Sequence, residues 1–495
     1  SHPGGEFLWN AKPRFGKTLS VYDLCIKKRF SNVLIVTNRP AIANSWYEDY
    51  RKFVGPDNGY YFVSDADALK NCAGVLSRER YVSLSRTEKP EGDPNKKRIR
   101  MSITFLSLQD LKGSSYFGGS YRKLKYVTEI NWDLLVIDEA HEGVDTYRTD
   151  SAFKNIKRSF TLHLSGTPFR ALASNKFNAD AIYNWTYADE QKAKAEWDES
   201  SEGSNPYAAL PVLNMYTYQM SKIIEDEVSK GIDIEGETKK FAFDMNEFFA
   251  VNSSGNFVND DSVDKFLDAM TVLEKYPFST PELRDELKHT FWLLDRVAGA
   301  KALAKKLADH PVFKEYKVIL AAGDGNLDDE AETRKSYEKV VEAIKQYDKT
   351  ITLSVGQLTT GITIPEWSAV LMLSNVKSPS LYMQAAFRAQ NPYKFKKGSE
   401  LFVKKNAYVF DFDPARTLII YDKFANDIRV CNVPDDNDRK ENVKTLLNFF
   451  PVIGEDKDGT MVMLDAEAVF TIPRRIKSEE IVRRGFMCDF LFRNI

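Results

Sequence analysis

The sequence predicts an α/β protein with two doubly wound parallel sheets, and three observations carry that expectation. Short, unbroken apolar runs alternate with amphipathic stretches through the first part of the chain. Turns bearing glycine, lysine or carboxylates follow several of those runs directly. A second series of the same kind opens near His289, after a long polar interval. Strands covered by helices on both faces are continuous apolar runs, not alternations, and such sheets bind ligands beyond the carboxyl ends of their strands.

A chain of 495 residues exceeds what one core serves and implies more than one domain. Its 43% hydrophobic and 28% charged residues suit a globular protein and exclude large-scale disorder. The net charge is −2 and the pI about 6.3, so no basic tail points to nucleic acid and such a partner must be argued from local features. Cys25, Cys72, Cys431 and Cys488 are scattered without a CxxC pair, against a zinc module or disulfide framework and in keeping with a reducing cytoplasm. No apolar run is long enough to span a bilayer.

In chain order, residues 1–174 form the first predicted domain. Its strands are a short one at Phe7–Trp9, then VLIVT (33–37), ITFL (103–106), DLLVI (133–137) and LHLS (162–165). Residues 175–288 are set apart as an insertion or linker, with charged stretches at 187–205 and 225–239 and aromatic-rich pieces such as VLNMYTYQM. The second predicted domain, 289–413, has candidate strands TFWLL (290–294), KVILA (317–321), TITLS (350–354), AVLML (369–373) and AYVFD (407–411). Between the first two lies VAGAKALAKKLADH, at helical spacing and rich in helix formers. Residues 414–495 are charged, less regular and expected to form an accessory region. Little chain precedes the first strand and no terminating signal closes the last stretch, so a piece of a longer polypeptide is expected.

The segment AKPRFGKTLS leaves the first strand and enters a helix, and it has the phosphate-loop pattern with Ala11 where the first glycine would stand. Backbone groups from Ala11 through Arg14, Phe15 and Gly16 would cradle the phosphates of ATP, where the helix dipole also favours anions. Gly16 permits an approach that a side chain would block. Lys17 would reach the β- and γ-phosphates, and the Thr18 hydroxyl would ligate Mg2+. A lysine in a surface turn is the plain alternative, which the strand–loop–helix setting disfavours. In DLLVIDEAHE, Asp138 and Glu139 close an apolar strand. A carboxylate there can hold magnesium through water. Asp138 is assigned to the metal, Glu139 to polarising the attacking water, and His141 to relaying nucleotide state. Alone, the pair could equally be a solvated turn.

The phosphate loop, DEAH and LSGTP, in that order, resemble the superfamily two helicases of DEAH type. The resemblance implies that Ser165 and Thr167, around Gly166, couple hydrolysis to nucleic-acid binding. SVGQLTTGITIPEW (354–367) looks like the family's fifth motif, with Gly361 on the nucleotide and Thr359 and Thr360 on nucleic acid. YMQAAFRAQNPY (382–393) looks like the sixth. Gln384 and Arg388 lie four apart, which on a helix shares one face, and Arg388 would act as an arginine finger on the γ-phosphate. An ordinary salt bridge is the alternative for Arg388. Two positions depart from the pattern. Asn391 stands where a second arginine is usual, and Thr363 where an aspartate often is.

The resemblance covers roughly residues 7–411 apart from the insertion, and the LTTGITIP form is similar to the motors of type I and type III restriction enzymes. It implies two RecA-like domains with ATP bound in the cleft between them, and ATP-driven translocation on double-stranded DNA in a bacterial restriction system. Thr37, Asn38 and Arg39 in TNRP, and Ser107, match motifs that hold the phosphate backbone, though each could cap a helix or form a turn. Basic clusters occur at Lys96–Arg100, Arg122–Lys125, Lys394–Lys397 and Arg474–Lys477. Most such clusters are solvated faces; the Lys394 group is interleaved with Tyr393 and Phe395 directly after the sixth motif. No nuclease or methyltransferase motif is visible, so those partners are expected in domains or subunits outside this sequence. Two other readings stay open: an RNA or single-strand helicase, and a non-motor ATPase switch or scaffold.

Overall fold

The structure is a computed structural model describing residues 5–12, 15–37, 43–86, 101–138, 153–165, 179–219, 245–321, 330–359, 362–376, 378–397, 400–426, 436–455 and 460–474. The chain divides into two compact units, Ser1–Thr186 and Tyr187–Ile495.

The first unit holds β1 (Gly5–Ala11), β2 (Asn32–Thr37), β3 (Tyr60–Val63), β4 (Val75–Leu76), β5 (Met101–Ser107), β6 (Trp132–Asp138), β7 (Arg158–Ser165) and β8 (Ile182–Trp185). They form one sheet in the order β4-β3-β5-β2-β6-β7-β1-β8, with every pair parallel. Its helices include α1 (Lys17–Lys28), α2 (Ala43–Phe53), α3 (Arg78–Arg86), α4 (Leu108–Gly113) and α5 (Lys125–Glu129). Successive strand residues point to opposite faces, and both faces are buried here. Val33, Ile35, Ile103 and Val136 pack against Val21 and Tyr22 of α1 and Trp46 of α2. Their neighbours Leu34, Val36, Leu106 and Ile137 pack on the other side with Leu108, Leu111, Tyr126 and Val127. That double covering is why the strands are unbroken apolar runs. Each such aliphatic side chain contributes roughly 1.5–3 kcal/mol on burial.

The second unit repeats the arrangement. Its strands are β9 (Val212–Thr217), β10 (His289–Leu294), β11 (Lys317–Ala321), β12 (Thr350–Ser354), β13 (Ala369–Leu373), β14 (Lys394–Lys397), β15 (Glu400–Val403), β16 (Asn406–Asp411), β17 (Val452–Glu455) and β18 (Met461–Met463). The sheet order is β11-β12-β10-β13-β16-β9-β17-β18, parallel except for the antiparallel pair β17–β18. Phe291, Leu293, Val370 and Met372 face one core, and Trp292, Leu294, Leu371 and Leu373 the other. The doubly wound, two-sheet α/β architecture expected from the sequence is therefore present, and every apolar run named above is a strand.

The sheets also recruit residues that the sequence reading set apart. β8 and β9 come from the 175–288 stretch, and β17 and β18 from the last one. β9 was hidden because its burial alternates along VLNMYT, unlike the unbroken central strands. β8 has four residues and β18 three, too short to show a period. Among the described residues, no helix is long and apolar enough to cross a membrane.

Candidate functional site

Strand register gathers the predicted motif residues of the first unit along one sheet edge. Asn10 of β1 lies beside Ser165 of β7, Leu164 beside Asp138 of β6, Asp138 beside Thr37 of β2, and Thr37 beside Ser107 of β5. These are carboxyl ends of parallel strands, where open α/β sheets bind ligands.

Ala11, fully buried, ends β1, and the backbone N–H of Lys12 donates to the Trp185 carbonyl of β8 at 2.9 Å. The Phe15 amide closes the following turn on the Lys12 carbonyl at 3.2 Å, and its ring lies 5.9 Å from Trp185 and 6.4 Å from Tyr183. Gly16 then adopts φ +93°, in the left-handed region that glycine enters freely, and becomes the N-cap of α1. No side chain caps that helix and no acidic residue occupies its first turn. The positive end of the α1 dipole lies at this turn, where an anion is favoured. Lys17 Nζ donates to the Ala11 carbonyl at 3.0 Å, folded back over its own loop. Thr18 follows on the first turn of α1, half-buried. Arg14 lies outside the described residues.

Asp138 is half-buried at the end of β6, and its Oδ2 accepts a hydrogen bond from Trp46 Nε1 at 3.2 Å. Trp46 is held in turn by Tyr22 of α1, whose hydroxyl donates to the Trp46 carbonyl at 2.7 Å and whose ring meets the indole edge-on at 5.7 Å. Burial pushes the Tyr22 phenol well above its ordinary range, so it stays a donor. The helix that begins at Lys17 therefore orients the carboxylate assigned to the metal. Sequence reasoning missed Trp46; its one signal was a tryptophan in the amphipathic stretch after TNRP.

Thr37 and Ser165 are buried at their strand ends. Ser107 Oγ accepts the Asp110 amide at 3.0 Å and caps α4, the cap role left open for it. Glu139, His141, Thr167, Asn38 and Arg39 lie outside the described residues.

In the second unit the turn after β12 is strained. Leu358 has φ +60° although it is not glycine, with its side chain buried in the core. A branched residue there costs on the order of 1–3 kcal/mol and persists only where its surroundings impose it. Gln357 before it accepts from Ser336 at 3.0 Å. Arg388, 6% exposed, donates from Nε to the Thr359 carbonyl at 2.5 Å and from a terminal nitrogen to the Ile362 carbonyl. It thereby bonds the residues on either side of Thr360 and Gly361, which themselves lie outside the described residues. Asn391 donates to the Arg388 carbonyl at 2.9 Å.

The expectation that Gln384 and Arg388 share one helical face is corrected. The helix ends at Ala386, and Phe387–Gln390 is a 3₁₀ turn, in which residues four apart no longer stack. Among the described residues, Gln384 Oε1 and Thr359 Oγ1 are buried without a hydrogen-bond partner. Lys404 also escaped the sequence reading. Its Nζ donates to the carbonyls of Pro365, Trp367 and Ala389 at 2.8–2.9 Å, joining the fifth- and sixth-motif segments. Burial pushes its amine down to about 7, with Glu366 pulling weakly the other way.

Residues 15–170 match the family model of the type III restriction enzyme, res subunit. A putative type II restriction enzyme and methyltransferase C-terminal protein of Mycoplasma pneumoniae is 28% identical over 477 residues, covering 85% of this chain. The chain spans 63% of that relative's length. The DNA-bound ATP-dependent type ISP restriction-modification enzyme LlaBIII shares the fold, with 13% identity and a TM-score of 0.50 over 90% of this chain and 28% of that one. Dbp5 of S. cerevisiae, bound to RNA and ADP BeF3, aligns with 13% identity and a TM-score of 0.41 over 90% of each chain. Over residues 15–170 the chain is thus similar to the type III restriction enzyme res-subunit family, and its two parallel sheets have the RecA-like fold.

Proposed function

We propose that the chain is an ATP-hydrolysing motor core that translocates on double-stranded DNA within a restriction system. The observation that carries this reading is the loop Ala11–Thr18, with an uncapped helix N-terminus and Lys17 at one strand end, on the same sheet edge as Asp138. The donor set suits a nucleotide triphosphate: backbone N–H groups and an ammonium for the phosphates, a hydroxyl and a carboxylate for a hard divalent cation. Thr18 and Asp138 would hold magnesium, which when bound neutralises phosphate charge. Glu139 would polarise the attacking water. Thr37, Asn38, Arg39, Ser107, Thr359 and Thr360 would lie along the nucleic-acid backbone, with His141, Ser165 and Thr167 coupling the two events. Nuclease and modification or specificity functions would be supplied by other domains or subunits.

The test is ATP turnover with no nucleic acid, duplex DNA, single-stranded DNA and RNA, with Glu139→Gln as control. Stimulation by duplex DNA, a Glu139→Gln protein that binds ATP without turnover, and a Lys17→Ala protein with roughly 10- to 100-fold weaker nucleotide binding are expected, the last from loss of a charge-assisted contact. Normal turnover by Glu139→Gln would reject it as the base. One observation favours a non-motor switch instead. Arg388 bonds carbonyls of its own unit and Asn391 replaces the usual second arginine. Turnover near zero with saturating DNA would select that reading.

A further inference from the structure

The hairpin β14–β15 belongs to neither large sheet. Its strands pair antiparallel, with Phe395 opposite Phe402 and Lys396 opposite Leu401. Residues opposite one another share a face, as do residues two apart along a strand. One face therefore carries Tyr393, Phe395 and Phe402, and the other Lys394, Lys396, Leu401 and Val403. The three rings form a ladder. Phe395 lies 5.7 Å from Tyr393 at 20° and 5.8 Å from Phe402 at 19°. Both phenylalanines are 38% exposed and Leu401 is 62% exposed. A two-stranded hairpin gains little by displaying such side chains to water.

The hairpin is nonetheless firmly based. The Lys404 amide donates to the Tyr393 carbonyl at 2.9 Å, closing the ladder. Lys404 Nζ then ties that base to Pro365, Trp367 and Ala389. The projection is anchored to the fifth- and sixth-motif segments.

Charge selects the occupant. Lys394, Lys396 and Lys405 are exposed, Lys404 is taken up in its clamp, and the one acid between Tyr393 and Lys405 is Glu400. Near-parallel rings on one face of a hairpin whose other face carries the exposed Lys394 and Lys396 suit a polyanion with flat apolar faces, namely nucleic acid with unpaired bases. Bases inside a duplex are already stacked on their neighbours, so these rings can take only a base that has left the stack. We infer that the β14–β15 hairpin is a base-stacking contact for a single-stranded segment, at a fork or end of the nucleic acid. The inference rests on the nucleic-acid reading above and adds a strand-sensing element to it.

The experiment measures binding to a forked DNA carrying a fluorescent base analogue in its single-stranded arm, and to a blunt duplex of the same sequence. The proteins are wild type, Phe395→Ala with Phe402→Ala, and Phe395→Trp with Phe402→Trp. The double alanine protein should bind the fork about ten- to a hundredfold more weakly. Its blunt-duplex binding should be unchanged, and the tryptophan protein should retain fork binding and analogue quenching. Thermal melting verifies that the substitutions, both on exposed rings, leave the fold intact. Equal fork affinity of the wild-type and double alanine proteins overturns the hairpin assignment while the nucleic-acid reading stands. A wild type that binds neither DNA overturns both. Loss of self-association in the alanine protein, with fork binding intact, reassigns the face to a second copy of the chain.

Discussion

At the scale of single residues, the geometry makes Trp46 part of the candidate nucleotide site. Its indole N–H donates to one oxygen of Asp138, which fixes the orientation of the carboxylate. Trp46→Phe keeps the ring in the core and removes only that bond. Freeing one rotamer costs about 0.5–1 kcal/mol, so the magnesium midpoint of ATP turnover should rise roughly two- to fivefold while nucleotide binding without metal is retained. An unchanged midpoint would show that Asp138 is oriented by something else. His289, which opens β10, gives a pH signature. Burial pushes its pKa down to about 4, Asp348 opposing and Lys288 assisting, and Nδ1 faces Thr350 Oγ1 at 3.0 Å. Between pH 6.5 and 4 the unfolded chain takes up a proton that the native imidazole refuses. The associated stability is therefore full above pH 6.5 and is lost as pH falls toward 4, by at most about 3 kcal/mol. The melting-temperature advantage of wild type over His289→Asn should shrink across that window. A difference that does not vary with pH would refute the assignment.

At the scale of elements, Lys404 joins what the sequence lists as separate pieces. Lys404→Met keeps the buried volume and deprives three carbonyls of their donor. Each acceptor left unpaired costs about 1–3 kcal/mol, offset by no longer burying an amine. We expect a net loss of roughly 2–4 kcal/mol in the second unit, read by denaturant unfolding, and proteolysis near β14–β15 before the rest. A variant as stable as wild type would show that the clamp is idle. Contacts of this kind mark the limit of what the sequence discloses. The central strands were legible because burial on both faces leaves an unbroken run, and the phosphate loop because Gly16, Lys17 and Thr18 are adjacent in the chain. Trp46 with Asp138 is separated by 92 residues, and Lys404 with Trp367 by 37, so neither pair leaves a local pattern. The 3₁₀ turn at Phe387 was illegible for another reason: its residues have ordinary helical composition.

At the scale of the whole chain, the strand pairings bear on where the first domain should be cut. The sequence pattern places the boundary after residue 174, at the last apolar run of the first series. β8 lies beyond that point, yet it pairs with β1 through Leu8–Ile182 to Ala11–Trp185, and Trp185 meets both the Lys12 amide and the Phe15 ring. We propose Thr186 as the working boundary. A fragment ending at 174 would leave β1 as an open edge and the phosphate loop without its neighbour, and an unpaired apolar edge invites aggregation. Residues 1–186 should unfold in one cooperative transition and retain nucleotide binding, since α1, β6 and their packing partners are all within it. Residues 1–174 should melt several degrees lower, bind nucleotide more weakly and associate at high concentration. Equal stability and affinity of the two fragments would mean that β8 contributes no support to the loop, and would return the boundary to residue 174.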